Sequence, residues 1–509
     1  MSTKLTGRCL NIGNCTLANS MESISIDEGD ELLCPECGKT LEALPSRSSS
    51  SSGLKVAPLI AIGAISLGLI YGGHGLISRR QSSVGQINTA SNTGSPILRL
   101  VGSNTIGAKL GPELLGGYMK EKGCIDVDIK EPQTDKFEVS CNLNGNRIFA
   151  TVESKGSGTA FKALKDGSAD IGMASRRVKP TEKASLAPLG DVTAAGSENV
   201  IALDGLAVIV NPTNRIGQLS IDQVTEIFEG KKSSFSDLGG PSGQITLLRR
   251  DDKSGTFDTF KSLVMHGKSV SPLAKTFEDS RQLSQAVAVT PAGIGFVGFT
   301  YIGAARAVPI SSAQGQQALL PTRFTIATED YPLSRRLYLY SKPNNVSPEV
   351  AQFIRFALST KGQSIVESLG FVPLEISSQA KPVAINGSSE YQTLTQGSQR
   401  LSVNFRFNSG SDELDNRAVE DLNRVAKYLI TTSSSPSKLV LIGFADSTGQ
   451  PAGNLALSKQ RAATVARKLQ PLGISPGVVT GLGSENPVAP NDTPEGQQKN
   501  RRVEVWIRQ

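Results

Sequence analysis

Four short loops hold the residue types that can grip an anion. They are VGSNTI (Val101 to Ile106), KGSGT (Lys155 to Thr159), ASR (Ala174 to Arg176) and RDDKSGTF (Arg250 to Phe257). Three of them set glycine beside serine or threonine just after an apolar, strand-like run, and two lead straight into a helical pattern. Backbone N–H groups at a helix start, joined by hydroxyls, make a concave donor cage for a tetrahedral anion. Any one loop alone is equally a turn with a helix cap, and Ser254 is a natural cap for a helix beginning near Thr256.

A second chemistry lies at the N-terminus. Of the six cysteines, Cys9, Cys15, Cys34 and Cys37 crowd the first forty residues, the last two around Pro35 and before Gly38. Four thiolates in two knuckles can close a tetrahedral zinc shell and so replace a core too small to fold unaided. The alternative is four unligated or oxidised cysteines. The segment resembles a zinc ribbon, which implies a structural zinc and a docking role toward a cytoplasmic partner. Cys124 and Cys141 stand apart, bracketing a hairpin pattern that they can close as a disulfide in an oxidising compartment.

Other chemistries lack material. Only His74 and His266 are present, with no nucleophile–base pairing and no carboxylate cluster for a catalytic metal, so no enzyme is expected. The net charge of +7 suits an anionic ligand or simply a solvated face. No basic cluster is interleaved with aromatics, so nucleic acid is not an expected partner.

The elements that must position these residues fall into blocks. Val56 to Ile77 carries no Lys, Arg, Asp or Glu, enough for a helix across ~30 Å of hydrocarbon. A signal peptide is disfavoured by the long cysteine-rich stretch before it, and a buried core helix by the lack of any polar face. Arg47 and Lys55 on one side balance Arg79 and Arg80 on the other. The thiolate site therefore decides the orientation, with the N-terminus in the reducing cytoplasm and the rest outside. The expected layout is a zinc-ribbon module (1–45), a Ser-rich linker (46–55), a transmembrane helix (56–77) and a linker (78–95). An α/β domain (96–376), a third linker (377–399) and a smaller α/β module (400–509) follow. Alternating strand and helix patterns underlie both α/β assignments.

Taken together, the four loops resemble those of the periplasmic phosphate-binding proteins of ABC transporters. The resemblance extends through VNPTNRIGQLSIDQVTEIFEGKKSSFSDLGG, TPAGIGFVGFTYI and YPLSRRLYLY. It implies a two-lobed, type 2-like periplasmic binding protein fold closing on phosphate or a similar oxyanion, with three loops on one lobe and the fourth on the other. The implied ligands are Thr105, Ile106 (through its N–H), Ser157, Ser175, Arg250, Asp252, Ser254, Gly255 and Thr256. Asp252 would accept the proton that hydrogen phosphate carries and sulfate lacks, with Arg250 fixing it. Ser175 replaces a carboxylate of some relatives, and Arg176 beside it would make the cage more positive. A turn residue is the plain alternative for Asp252.

Residues Leu401 to Ile507 resemble the OmpA-like peptidoglycan-binding domain, a small α/β sandwich, through GFADSTGQPAGNLALSKQRAATV and GLGSENPVAPNDTPEGQQKNRRVEVWI. That resemblance implies that Asp446 and Arg461 hold the ammonium and carboxylate of diaminopimelate, with Asn454, Asn500 and Arg502 beside them. Phe444, Ala445 and Gln497 depart from its pattern. Without the motif, Asp446 and Arg461 would be an ordinary surface pair. The expected protein is a single-pass inner-membrane receptor, its main domains periplasmic, which holds peptidoglycan and serves phosphate uptake through an ABC permease or phosphate sensing. The rival is an envelope scaffold that keeps the binding fold for docking or for another oxyanion.

Overall fold

The computed structural model describes residues 94–509 apart from 241, 253, 344–345, 380–386 and 408–410, together with 4–8, 23–27, 33–35 and 40–43. The N-terminal pieces form a three-stranded antiparallel sheet of Lys4–Arg8, Ser23–Asp27 and Glu42–Ala43. Cys34 is buried there; Cys9, Cys15, Cys37 and the expected span 56–77 lie outside the described residues. Among the described residues no helix is long and apolar enough to cross a membrane.

The large domain is organised by an 11-stranded mixed sheet. Two long strands cross its middle, Glu198–Val210 and Ser334–Ser341, paired antiparallel to each other. The run VIALDGLAVIV is buried almost throughout because both of its faces are covered. Two separate apolar cores result. One holds Ile106, Leu114, Met173 and Phe353, the other Val208, Phe228, Phe260 and Phe296. These are two lobes joined by crossing strands, and the cleft lies between them. At its far edge the strands Ile125–Gln133 and Lys136–Leu143 form the expected hairpin, with Cys124 and Cys141 joined as a disulfide, Cα to Cα 5.8 Å.

The C-terminal sheet runs Ser378–Gln379, Ser398–Arg406, Arg502–Arg508, Leu439–Gly443, Val478–Gly481. Helices Asn416–Thr431 and Pro451–Leu469 cover one face, burying Val425, Leu429, Ala462 and Val465 against Leu441, Val503 and Val505. The other face buries Val440, Ile442, Phe444 and Trp506 with Tyr391. Tyr391 belongs to the helix Ser389–Thr395, inside the segment expected to be a linker. That segment also supplies the edge strand Ser378–Gln379. One aromatic residue suffices to dock a polar stretch that shows almost no hydrophobic period.

Candidate functional site

The strands Asn146–Ser154, Arg99–Gly102 and Ile171–Ala174 lie side by side and parallel. Their following loops therefore leave at the same carboxyl edge, where open parallel sheets place ligands. Gly102 is required there. Its φ is 143° and a Cβ would stand 2.0 Å from the Met173 carbonyl oxygen. Ser157 opens the helix Ser157–Asp166, and its hydroxyl accepts from the Ser175 N–H at 3.0 Å and lies 3.1 Å from the Ser175 hydroxyl. Ile106 opens a π-turn and is buried, and the buried Ser103 hydroxyl has no partner among the described residues.

The fourth loop comes from the other lobe, after the strand Thr246–Arg250. Ser254 is the helix cap there, accepting from the Thr256 and Phe257 N–H groups at 3.2 and 3.4 Å. The helix Gly255–Phe260 begins against the first lobe: a Cβ on Gly255 would come within 2.7 Å of the Thr105 Cα. Thr105 donates its hydroxyl to the Gly255 carbonyl at 3.2 Å, and Asn104 donates to Asp258 at 3.1 Å. The lobes thus touch directly at the loops.

Arg335, from the crossing strand Ser334–Ser341, lies beneath this contact. It donates to the Thr105 hydroxyl at 2.6 Å, the Gly255 carbonyl at 3.3 Å and Asp204 at 3.1 Å. Burial lowers its pKa, with Asp204 opposing. Sequence reasoning did not assign Arg335, Asp204, Asn104 or Asp258. The signal was an arginine pair on a strand whose alternate residues face the cleft.

Two expectations are corrected. Arg250 does not hold Asp252: it donates to the Ser280 hydroxyl (2.6 Å), the Glu278 carbonyl (2.7 Å) and the Phe277 carbonyl (3.3 Å), and meets Asp251 at 3.3 Å. Arg249 holds Asp252 instead, at 2.9 Å, and lies over the Phe257 ring. The Asp252 side chain, 78% exposed, stands at the rim. Nor does Arg176 make the cage more positive, because it forms a bidentate pair with Glu182 at 2.7 and 2.8 Å. Burial would raise the Glu182 carboxyl, but Arg176 and the Lys179 N–H outweigh it and hold it below its ordinary value.

The C-terminal domain has its own pocket, about 600 Å³, lined by Asp412, Asp446, Asn454, Gln460, Arg461 and Arg501, among others. Asp446 accepts from Arg501 at 3.0 Å and from the Thr448 N–H at 2.8 Å. Arg461 is buried and, among the described residues, donates only to the Phe444 carbonyl, at 3.3 Å, with its Nε unpartnered. Burial, seconded by Arg501, brings it down to about 10. Asp446 and Arg461 are therefore brought together without pairing. Asn500 and Arg502 are placed elsewhere. Asn500 fastens the loop through the Val488 and Ala489 N–H groups and the Ala489 carbonyl. Arg502 is buried on the opposite sheet face with Glu504 at 2.7 Å, over the Phe444 ring.

Residues 91–361 match a family model described as the PBP superfamily domain, and residues 406–501 match the OmpA family. A phosphate-binding protein PstS of Staphylococcus saprophyticus is 29% identical over 54% of this chain and 90% of its own length. The PstS protein of Staphylococcus haemolyticus is 31% identical over 44% of this chain and 72% of its own. An ABC-type phosphate transport receptor from Vibrio cholerae, 23% identical, covers 54% of this chain and 99% of itself with a TM-score of 0.42.

Proposed function

The chain belongs to the PBP superfamily, and on that premise we propose that it is an envelope receptor whose cleft takes phosphate or a close oxyanion while its C-terminal domain grips peptidoglycan. One observation carries the first half. Three loops leave the carboxyl edge of adjacent parallel strands; the first meets the Gly255 loop of the second lobe through Thr105, and the other two bring the Ser157 and Ser175 hydroxyls together at the same edge. Donors gathered from both lobes are what a closing cleft needs for a tetrahedral anion. Its relatives bear the name phosphate-binding protein, so the activity is read as binding rather than catalysis.

Within that reading Thr105, Ile106, Ser157, Ser175, Gly255 and Thr256 furnish the cage, Arg335 braces Thr105, and Asp252 at the rim accepts the proton of hydrogen phosphate. Arg250 and Ser254 act by shaping the loop. Isothermal titration of the full-length chain with phosphate, sulfate and arsenate tests it: heat with phosphate is expected. No heat with any of the three would overturn it and leave the envelope scaffold.

For the second half, Arg461 offers a carboxylate a guanidinium that makes no ion pair among the described residues, and Asp446 offers an anion to an ammonium, the split pair a zwitterionic ligand needs. We place the chain in the inner membrane through residues 56–77, with the cysteine knuckles binding zinc in the cytoplasm. An ABC permease would be the partner outside and an adaptor protein the partner inside. Zinc content of the purified chain, lost in Cys34→Ser, tests the metal assignment.

A further inference from the structure

The strand Ser334–Ser341 turns Arg335 toward the cleft and Arg336 and Tyr338 toward the C-terminal domain. On that second face Glu329 accepts from three guanidiniums. They are Arg336 of its own domain, and Arg406 at 3.0 Å and Arg417 at 2.8 Å from the C-terminal domain. Arg336 also meets Asp415 at 2.7 Å, and Asp421 meets Arg417 at 3.3 Å and Arg424 at 2.6 Å. Arg177 meets Glu198 at 3.0 Å. Among the described residues Lys499 donates only to the Tyr331 and Pro332 carbonyls, at 3.4 and 3.2 Å.

The charges do not balance. Arg177, Arg336, Arg406, Arg417, Arg424 and Lys499 face Glu198, Glu329, Asp415 and Asp421 among the described residues, leaving two positive charges over. The adjoining groups cancel one another: Arg335 with Asp204, and Arg400 and Arg502 with Asp330 and Glu504. Arg406 and Arg417 are buried and the other four cations partly so, and cations crowded in excess in such a place are costly unless an anion joins them. Arg177, Glu329, Arg336, Arg406 and Lys499 line a pocket of about 170 Å³, which Arg335 also borders while its guanidinium pairs with Asp204. At ~30 Å³ for a water, that has room for a tetrahedral oxyanion and a few waters.

We propose that this junction is a second oxyanion site, distinct from the cleft, in which a divalent tetrahedral anion (hydrogen phosphate or sulfate) binds both domains at once. Burial, then Arg406, presses the Lys499 ammonium down to about 8, and burial lowers Arg406, both as expected of a surplus an anion would relieve. Glu329 is saturated by its three guanidiniums and has no capacity left to accept a ligand proton. The junction should therefore take sulfate as readily as phosphate.

Equilibrium dialysis of the full-length chain in detergent, with radiolabelled phosphate and then sulfate, reads the site out. Lys499→Met keeps most of the aliphatic stem and removes the charge, and Arg177→Gln removes a charge from the other domain while keeping a polar, hydrogen-bonding end. Each should lose one phosphate and one sulfate per chain while keeping the cleft phosphate, which also shows that the variant is folded. A Thr105→Val, Ser157→Ala double variant should keep the junction anion. If the cleft reading alone is wrong, the parent binds a single phosphate that Lys499→Met loses and the double variant keeps. Counts unchanged in both Lys499→Met and Arg177→Gln would overturn the junction site.

Discussion

The cleft and the wall pocket solve recognition in opposite ways. Around the cleft each nearby guanidinium meets a carboxylate: Arg176 with Glu182, Arg249 with Asp252, Arg250 with Asp251, Arg335 with Asp204. What the cleft presents is hydroxyls, backbone N–H groups and a close fit between lobes. In the wall pocket Arg461 makes no ion pair among the described residues, although Asp446 and Asp412 lie in the same pocket, and Asp446 is held by a different arginine. Charge is displayed in the second site and compensated in the first. Shape should therefore govern the cleft, and electrostatics the wall pocket.

The largest expected effect breaks the second half of that contrast. Arg461→Ala removes the displayed cation and should cost about 2–5 kcal/mol of binding to purified sacculi. Phosphate titration of the same variant should be unchanged; equal sacculus binding would show that Arg461 is a packing residue. Next comes the shape-governed side. Gly255→Ala puts a Cβ 2.7–2.8 Å from the Thr105 Cα and N, which are backbone atoms with no rotamer to yield. Overpacking of this kind costs about 1–3 kcal/mol, so phosphate affinity should fall by about tenfold or more while sacculus binding stays put. Calorimetry decides it, and an undiminished phosphate affinity would mean that the lobes close without this contact.

Where the chain's chemistry was misjudged from sequence, an arginine doublet was involved. Arg176–Arg177, Arg249–Arg250 and Arg501–Arg502 each send neighbouring guanidiniums to different partners: Glu182 and Glu198, Asp252 and Ser280, Asp446 and Glu504. Side chains alternate along a strand, so a one-residue error exchanges the two faces. Nothing in the string RRDD or NRRVEV says which arginine faces which way. Trp506 and Glu504 share a face with Arg502, while Val503 and Val505 pack under the helices beside Arg461. That places Arg501, not Arg502, at the wall pocket, a deduction open only once the sheet's two cores are known. The loops were legible because glycine, hydroxyls and strand ends are local signals, whereas the two lobes were implied only by the family resemblance that those loops carry. Arg335 was not legible, since its partners Gly255, Asp204 and Thr105 lie 80, 131 and 230 residues away. The helix around Tyr391 was hidden by polar neighbours that give no period.

Salt should sharpen the contrast more gently. Raising ionic strength from about 0.01 to 1 M shortens the Debye length from ~30 to ~3 Å. Sacculus binding should weaken by about tenfold over that range, in a pull-down with fixed sacculus mass. Phosphate affinity should change by a much smaller factor, because the cleft's cations already meet carboxylates. Equal salt slopes would dissolve the distinction between the two sites.

The finest test uses pH and a conservative change. Burial, with Arg501 nearby, brings Arg461 down to about 10. A cation needed for binding is present below its pKa and lost above it, so sacculus binding should decline as pH rises through about 10. The ligand's own ammonium also titrates in that range, which a single curve cannot separate. Arg461→Lys separates it, because the ligand is unchanged while the protein cation becomes an ammonium, a stronger acid than a guanidinium that gives up its proton at lower pH. Burial of comparable kind brings Lys499 from 10.5 to about 8, and a lysine at 461 should fall likewise. At neutral pH the variant should bind only about threefold more weakly, losing the planar fork but not the charge. Its decline should then begin roughly two pH units earlier than the parent's, in line with the lower pKa. Superimposable curves from pH 7 to 11 would mean that the falling charge belongs to the ligand alone, and the displayed cation would lose its place in the comparison.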